Sequence, residues 1–120
     1  MTKITNSKRY DLEERTLKFV KEVIKFVKNL PKTIPNVEII KQLVRASGSV
    51  GANYIEANEA LSKKDFIMRV KICRKEAKEG RYWLKLTGVN SKDAEKQRQL
   101  LVQEATELMK IFGAILEKTK

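Results

Sequence analysis

IKQLVRASGSVGANYIEANEAL, residues 40–61, is the stretch on which the fold turns. Ile40, Leu43, Ser47, Val50, Tyr54, Ala57 and Leu61 recur at alternating spacings of three and four. A strand would repeat every two residues, whereas this spacing is the seam of an α-helix packed lengthwise against other helices. Gly48 and Gly51 interrupt the pattern chemically, because each costs roughly 1 kcal/mol relative to alanine inside a helix. The seam continues on both sides of them, so the reading is an unbroken helix in which small residues admit a neighbouring backbone. A phosphate-cradling loop is the poorer reading, since no Gly-Lys-Ser/Thr ending follows.

Upstream, Asn29–Asn36 (NLPKTIPN) reads as a loop, and Pro31 stops any helix before it. Asp11 and Glu14 form a capping-box pattern that predicts a first helix from Asp11 to about Leu30. Leu12, Thr16, Phe19, Val20, Val23, Phe26, Val27 and Leu30 share its apolar face, and Lys18, Lys21, Lys25 and Lys28 line the opposite one. Downstream, Ser62 and Asp65 form a second capping box. The helix it opens has the seam Phe66, Val70, Cys73, Ala77, Gly80, Leu84 and Thr87. One flank of that helix gathers Lys64, Lys71, Arg74, Lys75, Lys78, Arg81 and Lys85. The other gathers Met68, Ile72, Glu76, Glu79, Trp83 and Leu86. This second apolar flank is either an association surface or the edge of a wide core face. Gly88-Val89-Asn90 is a turn, Ser91 caps a fourth helix, and Leu101, Ala105, Leu108, Phe112 and Ile115 carry its seam. The expected architecture is all-α, an antiparallel up-down-up-down four-helix bundle in a single domain over residues 1–120, with helices near 11–30, 36–61, 63–87 and 92–118.

Composition narrows the function. The 120 residues include no histidine and one cysteine, and the formal net charge is +11. Histidine-based nucleophile pairs, HExxH metal helices and Glu-x-x-His di-metal sites are therefore out of reach. Cys73 alone supplies neither a disulfide nor a zinc site, and on the seam it reads as a small buried hydrophobe. No catalytic residue, metal or cofactor is expected. The polar start and the lack of a long apolar run predict a cytoplasmic protein without a membrane span. Charge is uneven: residues 61–90 carry nine basic and three acidic groups, and residues 31–60 carry three of each. Such a field draws polyanions, although a lysine-rich solubilising surface has the same composition.

Within the deciding stretch, Gln42–Ala57 (QLVRASGSVGANYIEA) resembles the signature Q-L-x-R-A-x-x-S-I-x-x-N-I-A-E-G. That signature belongs to four-helix-bundle proteins encoded in intervening sequences of 23S ribosomal RNA. Gln42, Leu43, Arg45, Ala46, Ser49, Asn53 and Glu56 match at the expected spacing. Asp65-Phe66 is similar to the acidic-aromatic pair opening helix 3, and Glu79 falls where that helix carries a glutamate. Val44 stands in place of a second arginine, Gly51 of a frequent proline and Ala57 of the closing glycine. The resemblance implies a ring-forming bundle, commonly a homopentamer, without established catalysis. A related branch, the accessory variability proteins of diversity-generating retroelements, binds reverse transcriptase and nucleic acid.

Two functions follow as expectations. The first is a non-enzymatic, oligomeric nucleic-acid-binding protein, for RNA above all. In it, Lys18, Lys21, Lys25, Lys28, Lys64, Lys71, Arg74, Lys75, Lys78, Arg81 and Lys85 would contact phosphates, and Met68, Ile72, Trp83 and Leu86 would join subunits. Few aromatics interleave these stripes; Tyr82 is best placed to stack on a base, which leaves little for reading sequence. The second is an adaptor for a reverse transcriptase or ribosome-associated partner, docking on that same apolar flank. Arg45, Asn53, Glu56 and Glu79 read first as structural or oligomer polar groups that hold register, and second as a ligand pocket.

Overall fold

Three hydroxyl side chains open three of the four helices. In this computed structural model, Thr33 Oγ1 accepts a hydrogen bond from the Asn36 amide at 3.3 Å, Ser62 Oγ from Asp65 at 3.1 Å, and Ser91 Oγ from Ala94 at 3.0 Å. Each satisfies a backbone donor that the first turn leaves free. The helices are α1 (Thr2–Lys28), α2 (Ile34–Asn58), α3 (Lys63–Leu86) and α4 (Lys92–Lys118). The structure describes residues 2–120 for the backbone and Asp11 onward for side chains. Pro35 sits in the first turn of α2, where its missing N–H costs nothing.

Successive helices pack as neighbours, α2 most extensively on α3, and α4 returns to close on α1 along the sparsest seam. Short connections make neighbours antiparallel, so α1 and α3 occupy one diagonal and α2 and α4 the other. The bundle measures 47 × 24 × 20 Å. Its core is drawn from the four predicted seams: Phe19, Val23 and Phe26 from α1, Leu43 and Val50 from α2, Val70, Cys73 and Leu84 from α3, and Leu108 and Phe112 from α4. Tyr54 and Phe112 meet across the centre with ring centroids 6.1 Å apart. No described helix is long and apolar enough to cross a membrane.

α2 is continuous through its glycines. At Gly51 a Cβ would lie 3.0 Å from Thr16 Oγ1 and 3.3 Å from Thr16 Cβ, so the absent side chain lets α1 approach. Gly48 has no such role, because its nearest neighbour, Val20, would be 3.8 Å away. At the α2–α3 crossing, buried Ser47 faces Gly80, and the Ser47 hydroxyl has no hydrogen-bond partner among the described residues. Smallness rather than polarity suits serine to that position.

Four expectations need correction. α1 begins well before Asp11, so Asp11 is an interior residue and the Asp11–Glu14 pattern caps nothing. A capping box signals a helix start only where the preceding chain leaves the helix, and residues 2–10 contain no Pro or Gly to end one. α2 begins at Ile34, inside the stretch read as a loop and two residues before the expected start at 36, and Asn36 is buried. Leu61 lies beyond the end of α2 and is almost wholly exposed instead of sealing the seam. The second flank of α3 is split: Trp83 packs against the core, whereas Met68 and Leu86 remain exposed.

Candidate nucleic-acid interface

Each exposed stripe grows from helical periodicity: once one face of an amphipathic helix is buried, residues three and four apart on the other face are fixed outward together. On α3 this places Lys64, Lys71, Lys75, Lys78 and Lys85 in solvent, with Arg74 beside them. None of these six forms an ion pair among the described residues. Lys64 to Lys85 spans about 31 Å at the rise of an α-helix. Arg81, expected in the same row, is half-buried and donates to Thr106 Oγ1 on α4 at 3.2 Å. It serves the α3–α4 contact.

Lys18, Lys21, Lys25 and Lys28 are likewise exposed, but α1 lies diagonally opposite α3, so the two stripes stay apart. The α1 stripe is also interrupted by acids. Lys25 pairs with Glu22 at 3.6 Å. A groove of about 730 Å³ between α1 and α4 is lined by Lys18 and Lys25 together with Asp11, Glu14 and Glu22. Arg15 bridges the two helices there, its Nε 2.8 Å from Glu104 Oε2 and its Nη2 2.8 Å from Glu104 Oε1. Mixed signs weaken the pull on a polyanion, which leaves α3 as the stronger cationic surface.

The polar residues of the signature stretch sit between α2 and α3, in two separate crosslinks. Arg45 binds Glu79 and lies 3.5 Å from Glu76 Oε1, and its Nε reaches Gln42 Oε1 at 3.3 Å. Glu79 in turn accepts from Trp83 Nε1 at 3.2 Å. Two turns further along α2, Asn53 Oδ1 accepts from Arg69 at 3.0 Å, and its amide donates to the Ser49 carbonyl at 2.9 Å. Glu56, expected with them, is exposed and has no polar partner among the described residues. Spacing along α2 was legible, but the partners Glu76 and Arg69 were not, because they depend on how α3 is rotated against α2.

The hydrogen bond from Trp83, reinforced by the Arg45 charge, holds the Glu79 carboxyl below its ordinary range against the opposing effect of burial. A depressed carboxylate pKa adds stability above the unfolded value and loses it as pH falls through the folded one. Glu79→Gln is therefore expected to be less stable than the parent at pH 7, by at most about 1 kcal/mol for so exposed a pair. The gap should begin to narrow below the ordinary glutamate pKa of about 4.3 and close as pH falls through the folded value. Urea midpoints at pH 7 and pH 3 measure this, and a gap that stays constant would reject it.

Burial pushes the Cys73 thiol up to about 12, so it is not a nucleophile at neutral pH. Among the described residues no group of His, Cys, Asp and Glu is placed to hold a metal ion. Asn36 is the structural polar residue that periodicity missed: its amide donates to the carbonyls of Pro31 at 2.8 Å and Gly88 at 3.0 Å, and its Oδ1 accepts from Gly88 N–H at 2.7 Å.

The family model described as 23S rRNA-intervening sequence protein matches residues 8–114. The fold is similar to the crystal structure of a protein of unknown function from the S23 ribosomal protein family of Bacteroides thetaiotaomicron VPI-5482. That similarity is at 30% identity and a TM-score of 0.78, covering 92% of this chain and 98% of the other. No curated protein matches the chain.

Proposed function

The chain belongs to the 23S rRNA-intervening sequence protein family, and from its surface we propose a non-enzymatic, self-associating nucleic-acid-binding protein, acting chiefly on RNA. The observation that carries this reading is the α3 row Lys64, Lys71, Lys75, Lys78 and Lys85, exposed and free of ion pairs among the described residues. Cations not neutralised within the protein release counterions from a phosphate backbone when they bind it, and that release drives sequence-independent affinity. The α1 lysines add a second, weaker stripe.

Self-association completes the reading. One row on one bundle makes few phosphate contacts, and several copies bound to one strand multiply them. Met68 and Leu86, each 46% exposed on the flank of α3 facing α2, are the apolar groups that would join copies in this reading. Ile72 and Trp83 lie half-buried between them. The homopentamer implied by the resemblance belongs to this proposal.

The test is a binding titration against RNA and DNA at several salt concentrations, with the solution mass measured alongside. Affinity is expected to fall linearly with salt on logarithmic axes, with a slope of roughly −3 for four or five contacts on a single strand. Salt-insensitive binding, or none to either polymer, rejects the phosphate reading; a monomeric mass rejects self-association. Binding of a protein partner that Met68→Glu with Leu86→Glu abolishes, while the mass stays unchanged, would support the adaptor reading instead.

A further inference from the structure

Resting on that phosphate reading, we infer that the α3 stripe is a single-strand platform on which Tyr82 stacks an unpaired base. Tyr82 is 58% exposed, the most exposed aromatic among the described residues. On the helix it lies one turn from Lys78 and from Lys85 and two turns from Lys75, so it stands within the cationic row.

Its ring is braced from behind. The Tyr82 and Trp83 rings meet edge to face, with centroids 5.0 Å apart and planes at 75°. Trp83 packs against the core, and its indole N–H is held by Glu79. Glu79 is held by Arg45 from α2. A chain of contacts thus runs from the signature arginine to an exposed phenol. It limits the motion of a side chain that would otherwise lose rotamer freedom on binding. Arg45 and Glu79 are positioning residues in this arrangement.

The occupant follows from the surroundings. An exposed aromatic with Lys78 and Lys85 one turn to either side suits a ligand that is anionic along its backbone and flat in its side groups. Bases in a duplex have their faces stacked on one another, whereas an unpaired base offers a free face. Stacking of this kind ignores base identity, so it selects single strands over duplexes without reading sequence.

The test compares the parent with Tyr82→Ala and Tyr82→Phe, using a mixed-sequence RNA single strand of roughly 12 nucleotides and the matching duplex. Tyr82→Ala is expected to weaken single-strand binding about tenfold and leave duplex binding within about twofold, with the salt slope unchanged, because no phosphate contact is lost. Tyr82→Phe keeps the stacking face and should bind as the parent does. Trp83, the only tryptophan, touches the Tyr82 ring and should change its fluorescence with the single strand more than with the duplex. Equal loss on both ligands, no loss on either, or a phenylalanine variant as weak as alanine overturns the inference. If the parent shows no salt-dependent binding at all, the phosphate reading falls first and this one with it. Salt-dependent binding that is indifferent to Tyr82→Ala rejects the platform alone.

Discussion

Asn36→Ala is expected to lower the unfolding free energy by about 3 kcal/mol, since it removes three hydrogen bonds of a buried side chain at about 1 kcal/mol each. The side chain is 3% exposed and makes three hydrogen bonds, two of them to the backbone of Gly88. The third goes to Pro31. The amide therefore ties the α1–α2 connection to the α3–α4 connection at the same end of the bundle. For a chain of this length the loss corresponds to a fall in Tm of roughly 10 °C. Thermal melts followed by circular dichroism measure it.

Asn36→Asp sharpens the test. It keeps the acceptor for the Gly88 N–H but turns the donor toward Pro31 and Gly88 into a carboxylate oxygen facing two carbonyls. Protonation restores a donor, so the folded-state pKa of that aspartate lies above its unfolded value. The sign follows: its stability is present below the unfolded pKa and lost as pH rises through the folded one. Asn36→Asp should thus recover toward the parent in acid, where Asn36→Ala does not. Two variants with the same pH profile would reject this account of the amide.

The larger functional effect is expected from reversing the α3 row. Lys71→Glu, Lys75→Glu, Lys78→Glu and Lys85→Glu together should weaken nucleic-acid binding by about 10³-fold at roughly 0.1 M salt, the scale set by losing four phosphate contacts. All four side chains are exposed and unpaired among the described residues, so the fold should survive with Tm nearly unchanged. Reversing Lys18, Lys21, Lys25 and Lys28 is the comparison. It should cost less, because Lys25 already pairs with Glu22 and the neighbouring groove carries further carboxylates. A four-site α3 variant that binds like the parent sinks the proposal. Equal losses from the two helices would mean that both stripes hold the strand.

Much of this architecture is legible in the amino-acid sequence. The seams of α2, α3 and α4, the caps at Ser62 and Ser91, and the close approach at Gly51 all follow from spacing and residue chemistry. Misreadings arise where a local signal is outweighed. Asp11 carries a cap pattern but lies inside a longer helix, and Leu61 fits the seam but lies past its end. Arg81 fits the cationic row but turns to Thr106 on the neighbouring helix.

The sequence alone determined the four helices, their buried faces and the concentration of positive charge on the third. Those properties depend on residues three and four apart, and a helix places such residues together wherever it sits. Tertiary structure alone decided that Asn36 would clamp Gly88 and that Arg45 would hold Glu79 beside Trp83. Such meetings depend on how far each helix is rotated about its axis and slid along its neighbour. Core packing and connection lengths set both quantities, and neither is written in the periodicity of any one helix.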